Sequence, residues 1–199
     1  MVFKVLAIST LVAAMAIFTS ACTHQDRIRL VAEGLARSRF DGWVYGSESA
    51  SRQVDCVQFL VAVLEEALSR PLTNEERSEV LIANIGPDEN LDALVDGDDV
   101  RVAGVQHALL SRGLGHRVEA EDAAPGDFLQ YWYKTKSGRW GGHAAVIWEV
   151  RKTERGSVEV QIFGAHQSLG RVGVAPYWLN LSDQSKKVYL ARMAGASGR

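Results

Sequence analysis

The chain has 199 residues, 47% of them hydrophobic and 23% charged, with a formal net charge of −2 at neutral pH. That composition fits one well-filled core and is short for two. No basic stripe, Arg/Lys block, internal repeat or low-complexity tract is present, which argues against nucleic acid as a partner.

Lys4 precedes an uncharged run from Val5 to Ile17 that is too short to span a bilayer comfortably, and the sequence continues to Thr19-Ser20-Ala21-Cys22. This pattern predicts an export signal over residues 1–21 rather than a structural helix. Cys22 after small residues resembles a bacterial lipoprotein cleavage site, although Thr19 stands where leucine is usual. Lipidation of Cys22 is expected, with plain cleavage after Ala21 as the other outcome. A lipid there ties the protein to a membrane, at the periplasmic face of the outer membrane. It also leaves Cys56 as the one remaining thiol, so no internal disulfide is expected.

Residues 22–42 read as a tether and a first amphipathic helix, with Ile28, Leu30, Val31, Leu35 and Ala36 at helical spacing over 26–40. A polar loop through Ser47, Ser49 and Ser51 then delivers the chain to Asp55. Val57, Leu60, Val61, Leu64 and Leu68 follow at i, i+3, i+4, i+7 and i+11, a stripe that predicts a helix from Cys56, buried on most sides in its first half and stopped by Pro71. Thr73 and Glu76 form a capping-box pattern that opens a polar helix over about 74–84. The acidic stretch 86–99 reads as a solvated loop, and a helix over 100–112 ends at Gly113. From Phe128 the period changes to two, and 128–133, 143–150, 158–165, 172–178 and 187–193 are strand candidates. Helices first and closely connected strands second predict an α+β fold, in which the central helix covers a roughly five-stranded antiparallel sheet.

Candidate chemistry lies in three residues. Cys56 sits in the first turn of the central helix behind Asp55 as a cap, where the helix dipole and free N–H groups are expected to favour thiolate. His143 opens one strand and His166 closes the next. The polar segment 151–157 is centred midway between them, so a hairpin about it places the two rings opposite each other. Shared parity of His166 with Val158, Val160 and Ile162 suggests a face turned toward the central helix, and His143 has the parity of Ala145 and Ile147. A thiol, a base and a group that orients the base are the parts of a cysteine nucleophile, and N–H groups at the helix start would stabilise an oxyanion. No cofactor is expected, because no phosphate-binding glycine loop or dinucleotide fingerprint occurs. His107 and His116 read as structural or surface groups. Trp140, in a glycine-rich loop beside His143, is a candidate for a substrate groove.

Tyr45-Gly46, Asp55-Cys56 before an apolar helix, Pro125-Gly126-Asp127-Phe128, Gly142-His143-Ala144-Ala145-Val146-Ile147 and Ala165-His166 together resemble the NlpC-type family of papain-like cysteine peptidases, over residues 43–173. The resemblance implies a papain-like fold for 43–195, with a helical insertion at about 71–121, and cleavage of amide bonds in peptidoglycan peptides. It implies Cys56 as nucleophile, His143 as general base, His166 as the orienting residue and Tyr45 near the oxyanion. The chain departs from the family where Val57-Gln58 replaces Ser-Gly after the cysteine, a change expected to alter how substrate is read. The insertion is expected to serve either as a specificity wall or as plain scaffold. Two other readings remain: a non-catalytic envelope lipoprotein that binds wall peptides or a partner, and a Cys-His acyltransferase acting on lipids. A zinc site from Cys56, His143 and His166 lacks a fourth obvious ligand.

Overall fold

The structure, a computed structural model, describes residues 23–195. Cys22 and the expected signal over 1–21 lie outside the described residues. Among the described residues no helix is long and apolar enough to cross a membrane.

The first helix, α1 (His24–Arg37), starts two residues before the expected 26 because Thr23 and Asp26 form a capping box, the Asp26 N–H donating to Thr23 Oγ1 at 3.1 Å. It buries Ile28 and Ala32, so His24 belongs to a packed helix rather than to a tether. Its first turn rests on the turn at Gly126, where φ is +92° and an added Cβ would lie 2.3 Å from the Gln25 carbonyl oxygen. Only glycine fits there. Two short strands, β1 (Val44–Tyr45) and β2 (Gln53–Val54), then pair in parallel and bring Tyr45 alongside the approach to Cys56.

The central helix α2 (Cys56–Leu68) forms as its pattern predicts and buries eight of its thirteen residues, among them Phe59, Leu60, Val63 and Leu64. Ser69 ends it in the left-handed conformation, two residues before Pro71. The capping box of Thr73 and Glu76 opens α3 (Asn74–Val80), which stops short of 84. The acidic stretch 86–99 is not all loop, since Asn90 caps a short helix, α4 (Leu91–Asp96). The helix expected over 100–112 breaks at Gly104, whose φ of +52° ends a 3-10 turn (Val100–Ala103) before α5 (Val105–Ser111) begins.

β3 (Gly115–Val118) pairs antiparallel with the last strand. Residues 71–121 are therefore not wholly helical, and α5 places Val105, Ala108 and Leu109 in the main core. With β4 (Phe128–Lys134), β5 (Trp140–Lys152), β6 (Val158–His166), β7 (Arg171–Val174), β8 (Leu179–Asn180) and β9 (Lys186–Met193), the sheet has seven strands rather than five. Its order is β3-β9-β4-β5-β6-β7, with β8 also on β6, and every pairing is antiparallel. The architecture is mixed α+β with helices on a large antiparallel sheet.

The sheet separates two cores. On one face Phe128, Ala144, Val146, Phe163 and Ala165 pack with α1, α2 and α5; on the other Leu129, Ala145, Ile147, Val158, Val160 and Ile162 pack together. β4 is pinned at its start by Asp127, fully buried, which accepts from Arg192 Nε at 2.7 Å, from Arg192 Nη2 at 2.9 Å and from the Ala124 N–H at 2.8 Å. Segment 86–99 is tied to the sheet by polar contacts: Asp92 accepts the Trp140 N–H, Asp96 accepts the Trp140 indole N–H at 2.9 Å, and Lys187 pairs with Asp98 at 2.8 Å.

Candidate active site

Cys56 is the first residue of α2, and the cap in front of it is reciprocal. Asp55 Oδ1 accepts the Gln58 N–H at 2.8 Å, and the Asp55 N–H donates to Gln58 Oε1 at 3.1 Å. Gln58 Nε2 also donates to the Ser47 carbonyl at 3.2 Å, fastening the preceding loop to the helix. Gln58 thus closes the helix start, which leaves Val57 as the member of the Val57-Gln58 pair that lines the cleft.

Only 8% of Cys56 is exposed, and that burial decides its acidity. Desolvation raises the thiol pKa, and the Asp55 carboxylate adds to the rise, against the N–H groups of Ala144, Val57 and Cys56 itself. The expectation that the helix start favours thiolate is therefore corrected. The cap that organises the helix is itself an anion beside the sulfur, and burial outweighs the dipole.

The hairpin reading of the histidines holds. Val146 pairs with Phe163 and Ile147 with Ile162, and continuing that register places His143 opposite His166. Their ring centroids are 4.8 Å apart with planes tilted by 34°. The paired register ends at Val146, short of the histidines, so the contact there is between rings. The parity reading needs correction: Val158, Val160 and Ile162 face the second core, away from α2. Both faces of β6 are apolar, so alternation could not say which one the helix covers.

Cys56 reaches the pair by position along β5 rather than by face. The Ala144 N–H points at the sulfur, and Cys56, Gly142, His143 and Ala144 line one cavity of about 260 Å³. Tyr45 stands on the other side, held by donation of its N–H to the Gly170 carbonyl at 2.8 Å. Burial pushes its phenol up to about 12, with the negative forms of Cys56 and Asp55 adding to the rise. Tyr131 is the member of the site that sequence reasoning missed. It pairs with His143 across the β4–β5 ladder, meets that ring edge-on at 5.6 Å and contacts the Tyr177 hydroxyl at 3.3 Å. The turn centred near Ser137 was the available signal, since it sets residue 131 opposite 143.

Both imidazoles are held neutral. Burial lowers His143 to about 3, helped by charge repulsion from His166, and burial also lowers His166 against the nearby carbonyls of Ile162 and Gly173. His143 Nε2 and both ring nitrogens of His166 have no hydrogen-bond partner. Among the described residues no hydrogen bond joins Cys56 to either ring. His166 meets His143 through ring contact, and the thiol and both imidazoles are uncharged.

Two cavities meet at Gly142 and His143. The wider, about 1020 Å³, runs past Tyr45, Tyr131, Tyr177 and Trp178 and holds Lys134 and Lys186. The narrower is the Cys56 cavity, whose outer wall is Leu81, Ile82, Ile85 and Leu91. Trp140 lines neither, because its indole is spent on Asp96. His107 lines a separate cavity beside α5, and His116 is exposed on β3. Among the described residues no three His, Cys, Asp or Glu side chains are placed to hold a metal ion. Comparison with protein-family models, curated proteins and solved structures finds no match.

Proposed function

We propose that the protein is an exported cysteine hydrolase of the papain-like, NlpC type that cleaves an amide bond in peptidoglycan stem peptides, anchored through a lipid on Cys22. The observation that carries this reading is the stacked His143–His166 pair beside the cavity that Cys56 lines. Cys56 Sγ attacks the amide carbon while its proton passes to His143, a thioester forms, and the leaving amine takes that proton. Water, deprotonated by His143, then releases the acid. Because the thiol is raised and the imidazole lowered, no ion pair is stored at rest and the proton moves with the attack. An oxyanion formed at this carbon would be stabilised by Tyr45 and the N–H groups at the start of α2.

The test is digestion of purified peptidoglycan with wild type and Cys56→Ala, followed by mass spectrometry of the fragments. Muropeptides released by wild type alone support the hydrolase. Equal product patterns sink it. The lack of a hydrogen bond between Cys56 and His143 favours one second reading, a protein that binds wall peptides without cutting them. In that case wild type and Cys56→Ala bind peptidoglycan equally and neither releases fragments.

A further inference from the structure

The cavity beside Cys56 contains a polar group that the catalytic reading does not use. Gln130 is only 2% exposed, it lines this cavity, and its Oε1 has no hydrogen-bond partner. Its Nε2 makes one long contact, 3.5 Å to the Tyr131 carbonyl. Apart from Cys56 and His143, the rest of the cavity lining is apolar or backbone, chiefly Val57, Leu81, Ile82, Ile85, Leu91 and Trp132. A buried acceptor left open costs stability, and a hydrophobic residue of similar volume would avoid that cost. No lysine, arginine, aspartate or glutamate lines this cavity, whereas the wide groove across His143 carries Lys134, Lys186 and Asp183.

We propose that this cavity is a subsite for one compact aliphatic residue, the one whose carbonyl Cys56 attacks, with the N–H of that residue donated to Gln130 Oε1. The proposal rests on the hydrolase reading and names the chemistry of its substrate. Its volume, about 260 Å³, lies just below the range of drug-sized pockets, room for one residue and not for an extended peptide. The absence of a cation excludes a carboxylate from this side. The apolar wall supplies size selection, and the buried amide rejects a ligand that cannot donate to it, because such a ligand would leave the oxygen unpaired.

The probes are N-acetylalanyl chloromethyl ketone in both configurations, its glycyl counterpart, and iodoacetamide, which carries no amino-acid side chain, as the reference for thiol reactivity. Alkylation of Cys56 is followed by mass spectrometry, and each rate is divided by the iodoacetamide rate of the same protein. Wild type should prefer the faster alanyl probe over the glycyl probe by roughly tenfold. Ile85→Trp, which fills the cavity from a partly exposed position, should abolish that preference. Gln130→Met, which removes the open acceptor at similar volume, should slow both peptidyl probes roughly tenfold. Equal alanyl and glycyl rates in wild type overturn the proposal, as does an unchanged preference in Ile85→Trp; should Gln130→Met fail to fold, those two results still decide. Binding of N-acetylalanine methylamide to the Cys56→Ala protein, read by saturation-transfer NMR and lost in the double variant with Ile85→Trp, separates the two claims. Such binding without muropeptide release keeps the subsite and discards the hydrolase; muropeptide release without probe preference does the reverse.

Discussion

Replacing His143 with glutamine tests whether burial keeps this side chain neutral. Its imidazole is lowered to about 3, from 6.5 for an unperturbed histidine. A base with a depressed folded pKa binds its proton more readily in the unfolded chain. Above pH 6.5 neither state is charged and nothing is lost; between 6.5 and about 3 the unfolded chain gains a proton that the folded protein refuses, and stability falls. Between pH 8 and pH 5 this one residue removes roughly 2 kcal/mol. Carboxylates held near 2, such as Glu76 and Asp99, lose little over that window and lose the same in wild type and variant. Urea unfolding of wild type and His143→Gln at the two pH values should show wild type losing roughly 2 kcal/mol more than the variant, while His24, remote from the pair, contributes equally to both. Parallel losses would refute the neutral resting pair and the concerted proton transfer built on it.

Asp127→Ala leaves Arg192 without its carboxylate and the Ala124 N–H without an acceptor. Because the arginine is 24% exposed, the loss should fall near the lower end for buried pairs, about 3 kcal/mol, read as a lower urea midpoint; an unchanged midpoint would show that β4 is not pinned there. Alkylation of Cys56 by iodoacetamide should titrate above the ordinary thiol range. Asp55→Asn, which retains a good N-cap, should lower that midpoint. A wild-type midpoint at or below that of free cysteine contradicts the desolvation argument.

The parts of the site that sequence revealed are those set by short-range pattern. Asp55-Cys56 and the apolar run behind it specify a capped, buried helix, and the spacing of His143 and His166 about segment 151–157 specifies a hairpin. That arithmetic depends on a bulge it could not see: Trp148 is an extra residue between Ile147 and Glu149, which offsets the register at the turn by one from that at the histidines. The bulged ring stacks on Phe163 at 4.9 Å and lies under Arg29. The face of the sheet was not legible, because β6 is apolar on both sides and only tertiary packing distinguishes them. Nor was the acidity of Cys56, since a helix N-terminus and burial act in opposite directions and sequence reports only the first. β3 escaped notice because, of its four residues, only Val118 is buried.

The two walls of the cavity beside Cys56 are unlike in how they are held. One is sheet, β4 and β5 joined by a continuous ladder. The other is residues 81–91 with α4, where Ile82, Leu91, Leu94 and Val95 pack with Trp132 and Trp140 while Asp92, Asp96 and Asp98 reach Trp140, Lys134 and Lys187. Contacts between partly exposed charges weaken as counterions gather within about 8 Å at physiological salt, whereas ladder bonds do not. Concentrated salt therefore weakens the polar share of one wall's attachment, leaves its apolar share, and does not touch the ladder of the other wall.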